Sequence, residues 1–150
     1  MRTRKSWREK LEKVQEPKLV TIPPKMRKRF GEGTMLIPRP LDVDAIIRTV
    51  KKGSLVTQSQ IRKALAGRFQ ADMTCPITTG IFVRIAAEAA EEDARAGKQR
   101  VTPYWRVVRD DGGLIEKLPG GTEAQARRLR EEGHTIDRTR KPRVLNFEKA

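Results

Sequence analysis

The side chains able to do chemistry in this chain are few and widely spaced. Cys75 is the only thiol and His134 the only histidine among 150 residues. Cys75-Pro76 reads as a helix start, because proline suits the first helical turn, and unpaired N–H groups there lower a thiol's pKa. Cys75 is therefore a candidate nucleophile. No base lies near it in sequence, although His134 could meet it through space, and a lone cysteine beside a helix start is more often buried packing. One cysteine and one histidine cannot build a zinc site of the usual kind, so neither metal nor cofactor is expected. The second cluster is Pro103-Tyr104-Trp105-Arg106-Val107-Val108, with Glu132 downstream. Its adjacent aromatics can stack on a base or fill a core equally well.

The elements that must position these groups follow from caps, breakers and periodicity. Ser6-Trp7-Arg8-Glu9 forms a capping box that opens a short helix to about Gln15, with Trp7, Leu11 and Val14 on one face. Lys18 to Pro24 is extended. Lys25-Met26-Arg27-Lys28-Arg29-Phe30-Gly31 is a basic run with two apolar teeth, able to hold a nucleic-acid backbone or to form an anchored surface loop. Thr34 to Pro38 is a short strand stopped by proline. Asp42 caps a helix that turns Val43, Ile46, Ile47 and Val50 inward, with Gly53 after its end. Thr57 and Gln60 make a second capping box; its helix, Gln58 to Ala66, buries Ile61 and Leu65 before Gly67.

A third helix runs from Cys75-Pro76 to about Ala96, with an apolar ridge of Ile77, Ile81, Ile85 and Ala89. Arg100-Val101 and Trp105 to Val108 read as strand, with Asp110-Asp111-Gly112-Gly113 as the hairpin turn of a wing. Thr122 caps a last helix from Glu123 to Glu132, and Val144 to Phe147 adds a terminal strand. Three helices followed by a strand pair make an α+β, mainly helical winged helix-turn-helix with a small β wing and basic terminal extensions. In it, the third helix is the recognition helix. Its first turns, with Thr78, Thr79, Gly80 and then Arg84, suit close contact with phosphates or groove edges. Gly80 is costly inside a helix, and either a close backbone approach by a ligand or a tight helix crossing explains it. The acidic end, Glu88 to Asp93, must point away from DNA.

Charge points to the same partner. The formal net charge is +14, of which residues 1 to 30 carry +8 and residues 135 to 150 carry +3. Basic ends neutralise phosphates, so duplex DNA is the expected partner. No run approaches the roughly 18–20 apolar residues of a membrane span, no signal peptide opens the chain, and a single cysteine fits a reducing cytoplasm. The expected organisation is a basic arm (1–33), a winged-helix domain (34–136) and a basic tail (137–150), associated with the nucleoid.

Three segments in order resemble one family. Lys52-Gly53-Ser54-Leu55-Val56-Thr57 opens the helix-turn-helix, Pro103-Tyr104-Trp105-Arg106-Val107-Val108 follows the recognition helix, and Pro119-Gly120-Gly121-Thr122-Glu123 with Glu131-Glu132-Gly133-His134 brackets the last helix. Together they resemble the DNA-binding domain of the alkylguanine-DNA alkyltransferases, whose motif reads Pro-Cys-His-Arg-Val-Val. The resemblance places Tyr104 at the acceptor cysteine, Trp105 at the activating histidine and Glu132 at the acid that orients it, leaving Glu132 nothing to orient. A phenol with an ordinary pKa near 10 is a poor acceptor, and an indole N–H cannot take a proton.

Gln58 stands where the family has a tyrosine, and Thr79 near its nucleotide-displacing arginine. What this implies is a non-catalytic alkyltransferase-like protein that binds alkylated or otherwise damaged DNA and engages a repair-protein partner. Tyr104, Trp105, Pro103 and Glu132 would line its pocket. Gln58, Thr78, Thr79, Gly80, Arg84, Arg106, Arg109, Lys25, Arg27, Lys28 and Arg29 would meet DNA. Two other readings stay open: a repair enzyme using Cys75 or a repurposed pocket, and a winged-helix module for a protein or RNA partner.

Overall fold

A computed structural model describes residues 6–13 and 15–147. It is an α+β fold, mainly helical, with three small sheets. No helix among the described residues is long and apolar enough to cross a membrane.

Helix α1 (Trp7–Leu11) starts at Ser6, whose Oγ accepts from the Glu9 N–H. Its other free donors are met from a distance. Trp7 and Arg8 N–H groups donate to the two carboxylate oxygens of Glu92 at 3.0 and 2.8 Å. The helix therefore stops well short of Gln15: one turn suffices because a distant acid, and not its own length, holds it. Val14, expected on its inner face, lies outside the described residues. Leu11 enters the main core.

Strand β1 (Lys18–Thr21) pairs antiparallel with β2 (Thr34–Ile37). Between them the basic run is a helix, α2 (Pro24–Phe30), and not a loop. Proline at its first position has the fixed φ a helix needs, and Gly31 at φ +79° ends it. Helix α3 (Pro40–Arg48) begins three residues earlier than expected, capped by Arg39 and not by Asp42. Asp42 is its third residue, and its carboxylate accepts from the N–H and guanidinium of Arg39.

Helix α4 (Gln58–Phe69) has the expected Thr57–Gln60 capping box. It runs through Gly67 and ends at Gln70, which takes the left-handed conformation. After β4 (Met73–Thr74), which joins β2 in parallel, helix α5 (Pro76–Arg95) crosses the molecule. Its buried face is Thr79, Val83, Ala86, Ala87, Ala89 and Ala90; of the expected ridge, Ala89 is buried and Ile85 packs half-buried against the core, but the first two isoleucines do not. Ile77 and Ile81 are 64% and 51% exposed. Small alanines let α1, α3 and α4 pack close to α5, and the core needs no larger side chain there.

The motif residues also depart from the expected hairpin. Tyr104–Arg106 is a single 3-10 turn, followed by the two-residue strand β5 (Val107–Val108). Strand β5 pairs in parallel with β3 (Val56–Thr57), and Arg100-Val101 is not strand. The turn survives, with Gly112 N–H donating to Arg109 C=O and Arg109 N–H to Gly113 C=O. What returns beside it is the far end of the chain: Val144 N–H donates to Gly112 C=O and Leu114 N–H to Pro142 C=O.

Helix α6 (Gly121–Glu131) is capped by Gly120 in the left-handed conformation, which places Thr122 inside the first turn. A pair of short strands, β6 (Ile136–Asp137) and β7 (Arg143–Val144), closes the fold. The expected terminal strand is thus shorter and begins one residue earlier.

Candidate nucleic-acid interface

The 3-10 turn is locked in place from three sides. Pro103 is buried and starts it, while the Thr102 hydroxyl donates to buried Asp44 at 2.6 Å. Gln125, also buried, donates from Nε2 to the carbonyls of Trp105 and Val107 and accepts from Ile115 N–H. One amide side chain thereby satisfies three backbone groups that no strand partner reaches.

Tyr104 is 3% exposed and donates its hydroxyl to Glu91 at 2.6 Å. Burial, reinforced by the Glu91 carboxylate, pushes this phenol well above its ordinary pKa. Trp105 donates Nε1–H to Glu132 at 2.9 Å. Arg106 lays its guanidinium on the same carboxylate, at 2.8 Å from Nη2, and donates from Nη1 to Val50 C=O at 2.7 Å. Burial alone would raise the Glu132 pKa, but the bonds from Arg106 and Trp105 outweigh it and hold the carboxyl below its usual range. Glu132 thus has two donors to orient, contrary to the expectation that it has none.

Arg106 is correspondingly buried in an ion pair and not presented to phosphate. Arg128 stands 4.3 Å over the Trp105 ring and reaches Glu91 at 3.4 Å. A shallow depression of about 290 Å³ lies between Lys52, Trp105, Arg128 and Glu132. Tyr104 and Trp105 are both buried. Removing the hydroxyl in Tyr104→Phe leaves the Glu91 carboxylate short of a donor, so we expect about 1–2 kcal/mol lower stability by denaturant unfolding. An unchanged midpoint would show that this bond contributes nothing.

A larger open groove, of about 690 Å³, lies over the first half of α5. It is lined by Trp7, Gln58, Gly80, Arg84 and Arg109, together with the exposed Ile77 and Ile81. Four residues expected at DNA (Gln58, Gly80, Arg84 and Arg109) therefore converge on one wall. Trp7 sits between Lys10, 4.1 Å from its ring centroid, and Arg84, at 5.6 Å.

Asp110 holds the turn against α4. It accepts from Ser59 N–H at 2.9 Å and from the Ser59 hydroxyl. Burial works against its charge, but the Ser59 bonds, then Arg62 and then Arg29, hold its pKa low. Lys25, Arg27, Lys28 and Arg29 are all exposed on α2.

Of two other expected contacts, Thr79 falls away, and half-buried Thr78 has its hydroxyl engaged. Thr79 is fully buried and donates its hydroxyl to Cys75 C=O at 2.7 Å, and Thr78 donates to the same carbonyl at 3.3 Å. A threonine at the start of a buried helix turn spends its hydroxyl on the backbone, not on a ligand. Cys75 is 6% exposed, in a small cluster with Ile22 and Met35, and does not line the groove. His134 has a buried Nε2 without a hydrogen-bond partner, and burial lowers its pKa.

The sequence reading missed Glu91, Glu92 and Gln125. A buried tyrosine hydroxyl needs an acceptor, which was the available signal for Glu91, whereas Glu92 accepts from backbone N–H groups at the start of α1 that no local pattern links to it. Comparisons with protein-family models, with curated proteins and with solved structures find no match for the chain.

Proposed function

We propose that this chain is a non-catalytic, duplex-DNA-binding protein of the alkyltransferase-like kind, acting in repair of alkylated or otherwise damaged DNA. Helix α4 and the first half of α5 form its helix-turn-helix, and the turn at Arg109–Gly113 stands in place of a full wing. The observation that carries the reading is Gly80. A side-chain methyl built at Gly80 meets nothing within 4 Å, so no helix crossing requires this glycine. It weakens α5 by about 0.5–1 kcal/mol relative to alanine. The bare backbone lies among Gln58, Arg84 and Arg109, where a phosphate or groove edge from outside would approach. At the motif, Tyr104 is a buried phenol whose raised pKa keeps it protonated and Trp105 offers no nucleophile, which supports binding without alkyl transfer.

The test is fluorescence anisotropy with matched duplexes, with and without one alkylated guanine, across a salt series. Gly80→Ala is expected to raise folding stability by about 0.5–1 kcal/mol and yet weaken duplex binding by about tenfold. Opposite signs separate a binding surface from a structural one. If alanine leaves duplex binding unchanged, the α5 face is not the interface. Preference for the lesion duplex would support damage recognition, and equal binding to both would restrict the function to general DNA binding.

A further inference from the structure

We propose that Ile77 and Ile81 form an apolar wedge that enters the base stack of duplex DNA, unstacking one step and bending the helix. This rests on the DNA-binding reading above and adds how the bound duplex is deformed. The two side chains are four residues apart on α5, so they stand one turn apart on the same face, and both are more than half exposed. The other exposed large hydrophobics, Leu19, Leu41 and Leu145, each stand on a different segment. Nothing in the core calls for isoleucine at these positions, because alanines on the opposite face already complete the packing of α5.

The surroundings select the occupant. The groove carries Lys10, Arg84, Arg109 and Lys117 against the single carboxylate of Glu116. An apolar protein segment laid over this patch would strip water from four cations without compensating them. A nucleic acid meets both parts: phosphates on the basic rim, and base faces against the apolar centre. Gly80 lies between the two isoleucines along the helix and leaves its backbone uncovered. The axis of α5 can then come close enough to the groove floor for a side chain as short as isoleucine to reach a base step. Apolar wedges of this kind kink a duplex by roughly 20–90°.

Intact protein is added to a duplex carrying 2-aminopurine at successive steps and a fluorophore pair at its ends. We expect 2-aminopurine emission to rise several-fold at one step and the end-to-end distance to shorten. The double variant Ile77→Ser, Ile81→Ser changes two exposed residues, so its thermal unfolding should match that of the unaltered chain. It should keep the same dependence of affinity on salt, since no phosphate contact is removed, and lose both signals. Binding without either signal, or a variant that still bends the duplex, overturns the wedge and leaves DNA binding standing. No duplex binding at all overturns both. Sedimentation of the unaltered chain as a dimer that the double variant abolishes would assign the patch to a second copy and overturn the wedge as well.

Discussion

Replacing Glu132 by alanine should cost about 3–5 kcal/mol of folding free energy, measured by denaturant unfolding. The size follows from what is left behind. The Arg106 and Glu132 side chains are 13% and 8% exposed, so the variant strands a guanidinium in a site with little water. The Trp105 Nε1–H loses its acceptor in the same step. Glu132→Gln keeps an oxygen acceptor but loses the charge, and should fall between alanine and the native residue. A loss below about 1 kcal/mol for alanine would mean that solvent reaches the pair and screens it.

The same group sets a pH dependence. The folded-state pKa of Glu132 is lowered, so its contribution is whole above the ordinary glutamate value of about 4.3 and is lost as pH falls through the lower folded value. Native protein should therefore lose stability over that acid interval, while Glu132→Ala should show a shallower slope there. Parallel slopes would remove Glu132 from the acid response.

The largest expected effect on binding comes from helix α2. Changing Lys25, Arg27, Lys28 and Arg29 together to glutamine should weaken duplex binding by at least about a hundredfold near physiological salt. The slope of log affinity against log salt should flatten by about 3 to 4, since each phosphate contact contributes about 0.9. Glutamine is a good helix former and the four positions are exposed, so α2 itself should persist. One native bond is lost, the 3.3 Å donation from Arg27 Nε to Ile22 C=O, a change of about 1 kcal/mol or less. If affinity and salt slope both stay as they were, α2 is a solvated face of the fold and takes no part in the interface.

Much of the fold was legible because its signals are local. The Thr57–Gln60 capping box, the proline at the start of α5 and the glycine past its end act over three or four residues, and the structure has all three. The same locality explains the errors. Gly67 and Asp42 carry strong breaker and cap signals, but α4 gains enough from burying Ile61 and Leu65 to run past a glycine, and Asp42 serves as the third residue of its helix. The ridge Ile77-Ile81-Ile85-Ala89 has correct helical spacing and its second half does meet the core, yet periodicity cannot say that Ile77 and Ile81 are left outside when a stripe of alanines competes with them. Burying small residues lets three helices approach one, and that preference depends on all four helices together.

The candidate site divides along the same line. By itself, the sequence determined that the chain is strongly basic at its start, that Tyr104-Trp105 offers no ordinary nucleophile or base, and that Gly80 interrupts a helix at a cost. Those follow from residue type and charge. Only the tertiary structure decided that Glu91 and Glu132 accept from the two aromatics, that Arg106 and Thr79 are consumed inside the protein, and that Gln58, Gly80, Arg84 and Arg109 share one open wall. Hydrogen-bond partners and exposure depend on segments tens of residues apart, and a contact across that distance exists only once the core has brought them together.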